Sequence, residues 1–162
     1  MASRKSTPPR GRLEKVVSDL LPDADSQTRG VVTALVGLLA SIAYADGVYH
    51  PSEKETVRRE LARVQVLDDR AVRIVAELLE THIKAIVAAG DTTWARTIKE
   101  SLEREGRLEV LDALLEIAAA DGELSTHETN YLRRVAPKLG LSQADYVALQ
   151  SRHRDKLAVL SE

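Results

Sequence analysis

The chain has 162 residues, a length that suits one compact domain, and 44% of them are apolar, enough for a sizeable core. It contains no cysteine, which excludes a disulfide framework, a thiolate nucleophile and a cysteine-containing zinc site. The net charge is −2, but the first twelve residues carry four positive charges and no acids, so the remainder has a net charge of −6, which argues against nucleic acid as a partner.

The N-terminal twelve residues contain Pro8, Pro9 and Gly11 and are predicted to form a disordered basic arm, residues 1–12. No apolar h-region follows this arm, and no run approaches the roughly 20 apolar residues of a membrane span. The sequence therefore predicts neither a signal peptide nor a transmembrane segment, and the expected location is the cytoplasm.

Residues 13–162 are predicted to form a single domain. Apolar residues recur at helical spacing along it, with capping residues at the starts and glycine or proline at several of the ends. These patterns predict helices over 13–21, 26–45, 51–64, 68–89, 92–105, 107–120, 126–139 and from 142 to near the end. No segment alternates with period two, so the predicted fold is an all-α bundle of about eight helices.

The strongest signal in the sequence is an internal repeat. When the chain is aligned with itself at an offset of 75, residues 38–64 match residues 113–139 at nine of 27 positions. Each copy reads as a helix, an Ala-Asp-Gly turn, a five-residue loop and a glutamate near the start of a second helix. The repeat predicts two pseudo-symmetric helix–loop–helix halves.

The repeated acidic residues are Asp46 and Glu53 in the first copy and Asp121 and Glu128 in the second. Each Asp follows the apolar stripe of its helix, and each Glu lies on the apolar face of the next, so both are expected to face the seam between the two helices. A carboxylate at a helix C-terminus opposes the macrodipole at a cost of about 0.3–1 kcal/mol. Because both copies place an Asp at a helix C-terminus, each Asp is expected to have a compensating partner.

Three partners for each Asp remain open at this point. Its carboxylate can accept backbone N–H groups of the following loop, or pair with an arginine. Alternatively Asp46 with Glu53, and Asp121 with Glu128, can hold a divalent cation through oxygen ligands, as Ca²⁺ or Mg²⁺ prefers. The loop is not an EF-hand, because the glycine follows the Asp directly. Ser125 with Glu128 also forms an S-x-x-E capping box, a purely structural role.

The paired motifs IAYADGVYHPSE and IAAADGELSTHE, with the tail VAPKLGLSQADY, resemble the tellurite-resistance TerB-like family over roughly residues 28–150. The resemblance implies an all-helical domain in two halves, and a cytoplasmic protein linked to metal and chemical stress that works beside membrane-associated complexes. The family's metal-chelating acidic residues carry over to Asp46, Glu53, Asp121 and Glu128. Related domains are fused to DnaJ-like co-chaperones, but His50-Pro51-Ser52 is not the J-domain tripeptide.

Three functional hypotheses follow. The first is a non-enzymatic stress-response adaptor that binds a divalent cation at its acidic loops and a protein partner at an outer face. The second is a structural scaffold whose acidic loops only stabilise turns. The third is an enzyme; its candidate residues are the motif carboxylates and the four histidines, but no phosphate loop or H-E-x-x-H motif supports it. Catalysis is therefore not expected. The single tryptophan, Trp94, either fills a groove between helices or anchors a partner.

Overall fold

The computed structural model describes residues 9–90, 93–120, 122 and 124–161, with side chains from residue 11 to residue 153 within those ranges. Residues 1–8 of the predicted arm and Asp121 lie outside the described residues. The described part contains eight helices and no strand, which confirms the all-α prediction. They are α1 Pro9–Leu20, α2 Ser26–Ala43, α3 Pro51–Ala62, α4 Asp69–Ala88, α5 Thr93–Ser101, α6 Arg104–Ala118, α7 Thr126–Lys138 and α8 Gln143–Ser161.

Two predicted boundaries were wrong. Helix α1 begins at Pro9, so residues 9–12 are helical and do not belong to a disordered arm; proline is compatible with a first helical turn because its missing N–H has no partner there. Helix α5 ends at Ser101 and not near residue 105. The backbone of Glu103 is extended (ψ 174°) at the start of α6. No glycine or proline marks that break in the sequence.

Helix α2 is the centre of the bundle. It packs against α1, α3, α4, α5, α6 and α7, and its core side chains include Val36, Leu39 and Ile42. By length and composition α2 could also cross a membrane, but 61% of it is buried inside the bundle. This is the burial expected of the core helix of a soluble protein.

The two repeat copies pack against each other. Helix α2 contacts α3 in the first copy, and α6 contacts α7 in the second. The contacts between the two copies follow the same pattern: α2 contacts α7, and α6 contacts α3. Superposition of residues 38–64 on 113–139 remains a prediction. The first helix of each copy, α2 or α6, therefore contacts the second helix of both copies.

Trp94 fills a groove between helices, as one of the two interpretations predicts. The side chain is only 4% exposed, and its indole ring lies directly over Gly37 of α2, where a Cβ atom would collide with it. The glycine therefore allows α5 to approach α2 closely. Burial of the ring excludes Trp94 as an exposed anchor for a partner.

A candidate cation site where the two halves meet

Both repeated glutamates cap the helix that carries them. Glu128 Oε1 accepts a hydrogen bond from the Ser125 amide at 2.9 Å, and Ser125 Oγ accepts one from the Glu128 amide at 3.1 Å. This confirms the predicted capping box. In the first half, Glu53 Oε1 accepts a hydrogen bond from the His50 amide at 3.1 Å. Each carboxylate thus satisfies one backbone donor at the start of its helix.

The two glutamates are buried and lie within each other's electrostatic field. Glu53 is 3% exposed and Glu128 is 5% exposed. Burial, followed by the charge of Glu128, raises the pKa of Glu53 to about 8, although the His50 amide favours its charged form. We call Glu53 and Glu128 the acidic seam. Like charges in a low dielectric repel strongly, so the charge of each carboxylate favours the neutral form of the other.

Asp46 occupies a different environment from the seam. Helix α2 ends at Ala43, three residues before Asp46, so the expected position on the helix stripe was wrong, and the residue is exposed in the loop. Its Oδ1 accepts a hydrogen bond from the Val48 amide at 3.0 Å, and its Oδ2 lies 3.0 Å from His50 Nε2. Gly47, at φ 84°, provides the left-handed turn that this loop requires.

The hydrogen-bond partners of Asp46 explain why its pKa is low. Burial alone would raise its pKa, but the hydrogen bonds from His50 and from the Val48 amide outweigh burial and hold the pKa below its ordinary value. Of the three partners predicted for Asp46, the loop amide is the one observed, and His50 is an additional one. Asp46 still contributes to the field at Glu53 and raises the pKa of that residue. It therefore lies at the edge of the acidic seam, while its repeat equivalent Asp121 lies outside the described residues.

A second group of ligand-type side chains was not predicted from the sequence. Asp112 and Glu116 of α6 lie beside His153 of α8, and one ligand atom from each lies within 4.8 Å of the other two. Asp112 and Glu116 are one helical turn apart, a spacing that could have been noticed. Their meeting with His153 depends on how α8 packs on α6, which the sequence pattern does not reveal.

The other histidines show no arrangement that suggests a reaction. His50 is engaged by Asp46, and His82 Nδ1 lies 2.8 Å from the Thr81 hydroxyl. His127 is exposed at the start of α7. The two glutamates of the seam carry carboxylate oxygens, the donor type that binds hard divalent cations.

Comparison with known protein families gives one match: residues 32–151 fit the model of the family described as tellurite resistance protein TerB. This confirms the resemblance carried by the two acidic motifs and the tail. No curated protein and no solved structure matches the chain.

Proposed function

The chain belongs to the TerB family, and we propose that it is a non-enzymatic, tellurite-resistance-type binding module that holds one divalent cation, Ca²⁺ or Mg²⁺, at the acidic seam. The observation that carries this proposal is the burial of Glu53 and Glu128, two carboxylates from different halves, the second of which raises the pKa of the first. A cation between them would replace the proton that burial and mutual repulsion otherwise favour.

This arrangement differs from two independent loop sites. Glu53 and Glu128 supply the shared central ligands, while Asp46 lies on the approach to the site. Two buried carboxylates are few ligands, so backbone carbonyls and water would complete the shell. The expected dissociation constant is therefore weak, on the order of 10⁻⁴–10⁻³ M.

The cation would link the two halves of the bundle, because one ligand stands at the start of α3 and the other at the start of α7. We propose that this link adapts the outer helical face for a protein partner, in the cytoplasm and beside a membrane-associated stress complex. The partner and the location rest on family membership. The competing proposal is a scaffold without metal, which the two capping hydrogen bonds favour.

Thermal unfolding in Ca²⁺ tests the proposal. Millimolar Ca²⁺ should raise the melting temperature of the wild type by mass action, and the double variant Glu53→Gln with Glu128→Gln should lose that rise while remaining folded, since glutamine can still cap. Glu55→Gln is the matched control, because Glu55 is an exposed acid on the same helix. An unchanged wild-type melting temperature, or an equal rise in the double variant, would favour the scaffold.

A further inference from the structure

The cluster of Asp112, Glu116 and His153 lies at the interface of α6 and α8, apart from the repeated motifs. His153 is only 5% exposed, and its Nε2 lies 2.8 Å from Asp112 Oδ1. Its other ring nitrogen, Nδ1, lies 3.8 Å from Glu116 Oε1. The imidazole is thus held between two carboxylates from successive turns of one helix. We call these three residues the His153 cluster.

The two distances have different chemical meanings. At 2.8 Å, Nε2–H donates a hydrogen bond to Asp112, and this bond, against the opposing effect of burial, keeps the pKa of Asp112 below its ordinary value. At 3.8 Å, Nδ1 and Glu116 Oε1 are too far apart for a hydrogen bond. When Nε2 carries the proton, Nδ1 presents a lone pair towards a carboxylate oxygen. An ion with bonds of about 2.0–2.2 Å to both atoms bridges that separation at an angle wider than tetrahedral.

We propose that the His153 cluster is a site for a first-row transition-metal ion, represented by Zn²⁺, bound by His153 Nδ1 and Glu116. Asp112 acts as the positioning residue that fixes the imidazole tautomer and ring orientation. A carboxylate that accepts the second N–H of a metal-bound histidine is a recurrent arrangement in zinc proteins. Side chains from facing helices likewise build the metal sites of helical bundles.

The surroundings of the cluster favour a cation. Glu60 of α3 is 9% exposed, and burial together with the charges of Glu116 and Asp112 raises its pKa, against the opposing effect of Arg63. Glu60 and Asp112 both line a cavity of about 320 Å³. Among the side chains that the structure describes, the basic groups that act here are Arg63, which pairs with Glu60 at 3.4 Å, and Arg152, and both are exposed. The inner face therefore combines three carboxylates with one imidazole.

The donor set separates this site from the acidic seam. Imidazole nitrogen is a ligand for Zn²⁺ and other late first-row ions, whereas Ca²⁺ takes oxygen ligands almost exclusively. The seam contains only carboxylates among its central ligands. We therefore expect Zn²⁺ to respond to changes at His153 and Ca²⁺ to respond to changes at Glu53 and Glu128. Failure of one site leaves the other proposal standing.

The test is a calorimetric titration of the full chain, prepared without a histidine tag, with Zn²⁺, together with Co²⁺ absorption spectra in the visible region. The wild type should bind one Zn²⁺ at this site and give ligand-field bands with Co²⁺. His153→Gln should abolish both signals, and Asp112→Asn should weaken Zn²⁺ binding by about 10–100-fold. His127→Gln, at an exposed histidine, should leave both unchanged.

Glu116→Gln provides a second variant in case His153→Gln does not fold, since Glu116 is partly exposed. It should weaken Zn²⁺ binding at least tenfold in a folded protein. Absence of Zn²⁺ binding by the wild type would overturn the proposal. Equal affinity in the wild type and Glu116→Gln would overturn it too, as would loss of Zn²⁺ binding only in the variant with both seam glutamates replaced.

Discussion

The acidic seam and the His153 cluster both place carboxylates in helix interfaces, but they stabilise them differently. In the seam, Glu53 and Glu128 each accept a capping amide, and the remaining conflict is between two like charges. In the cluster, an imidazole lies between Asp112 and Glu116. The seam thus favours a proton or an external cation, whereas the cluster already holds an imidazole that can bind a metal.

The two halves also differ in the residues at the positions of the cluster. At the offset of 75, Asp112 and Glu116 align with Gly37 and Ser41 of α2. Gly37 is covered by the Trp94 ring, and Ser41 donates a hydrogen bond to the Gly37 carbonyl at 2.8 Å. The seam glutamates are common to both halves, while the cluster exists only in the second. The two positions in α2 therefore serve packing, and the two equivalent positions in α6 carry charge.

An aspartate introduced at Gly37, the position equivalent to Asp112, should have the largest effect. Gly37→Asp would drive a side chain into the Trp94 ring and bury an unpaired charge. The free energy of unfolding should fall by at least about 3 kcal/mol, measured by urea denaturation. Gly30→Asp, on the same helix in open space, should stay within about 1 kcal/mol of the wild type. Similar losses of stability in both variants would mean that the packing of Trp94 does not require a glycine at position 37.

Removal of the imidazole from the cluster should have the next largest effect. His153→Ala loses a buried ring and leaves Asp112 and Glu116 without the group between them, so unfolding should become easier by about 2–3 kcal/mol in metal-free buffer. His127→Ala, at an exposed position, should change stability by less than about 0.5 kcal/mol. Equal stability of the two variants would show that the cluster contributes nothing without metal.

The burial of Glu53, together with its like-charge conflict with Glu128, should appear as a pH dependence of stability. The folded-state pKa of Glu53 is about 8, above the ordinary value of 4.5, so the folded protein holds a proton that the unfolded chain releases and loses stability as pH rises through that window. Glu53→Gln keeps a capping acceptor without charge. The free energy of unfolding of this variant should exceed that of the wild type by near zero at pH 5 and by at least about 1 kcal/mol at pH 9.

Urea denaturation at pH 5, 7 and 9 in the presence of a chelator measures this difference. Glu55→Gln is again the control and should show no such trend, because Glu55 is exposed. If the difference between Glu53→Gln and the wild type were the same at all three pH values, the pKa of Glu53 would not be raised in the folded protein.

The smallest effect concerns the helix that carries His153. Asp145 near the start of α8 accepts two hydrogen bonds from Arg104, at 2.8 and 3.1 Å, and one from the Ser142 amide. These bonds lower the pKa of Asp145 to about 2. Its ionised form therefore stabilises the fold above about pH 4, and this contribution disappears as pH falls towards 2.

Asp145→Asn should accordingly lower the melting temperature at pH 7 and match the wild type near pH 2. Asp23→Asn, the same change at an exposed loop position, should have no effect at either pH. A deficit of Asp145→Asn that persisted near pH 2 would show that the carboxylate charge is not the stabilising feature.

Most of the fold could be predicted from the sequence because local rules determine it. Apolar periodicity, Pro51 and Gly140 placed most helix ends, and the apolar neighbours of Glu53 and Glu128 predicted their burial. The break after Ser101 was missed because no special residue marks it. The meeting of Glu53 with Glu128, and of His153 with Asp112, depends on helix packing across the bundle. No periodicity within one segment contains that information.

The number of Ca²⁺ ions bound per chain tests the central claim most directly. It can be measured by equilibrium dialysis at about 1 mM protein and saturating Ca²⁺, a few times the expected weak dissociation constant of about 10⁻³ M. A shared seam predicts one ion per wild-type chain and none in the variant with Glu53→Gln and Glu128→Gln. Two ions per chain would indicate independent loop sites, and no bound ion would contradict the cation-binding account and leave the carboxylates as helix caps.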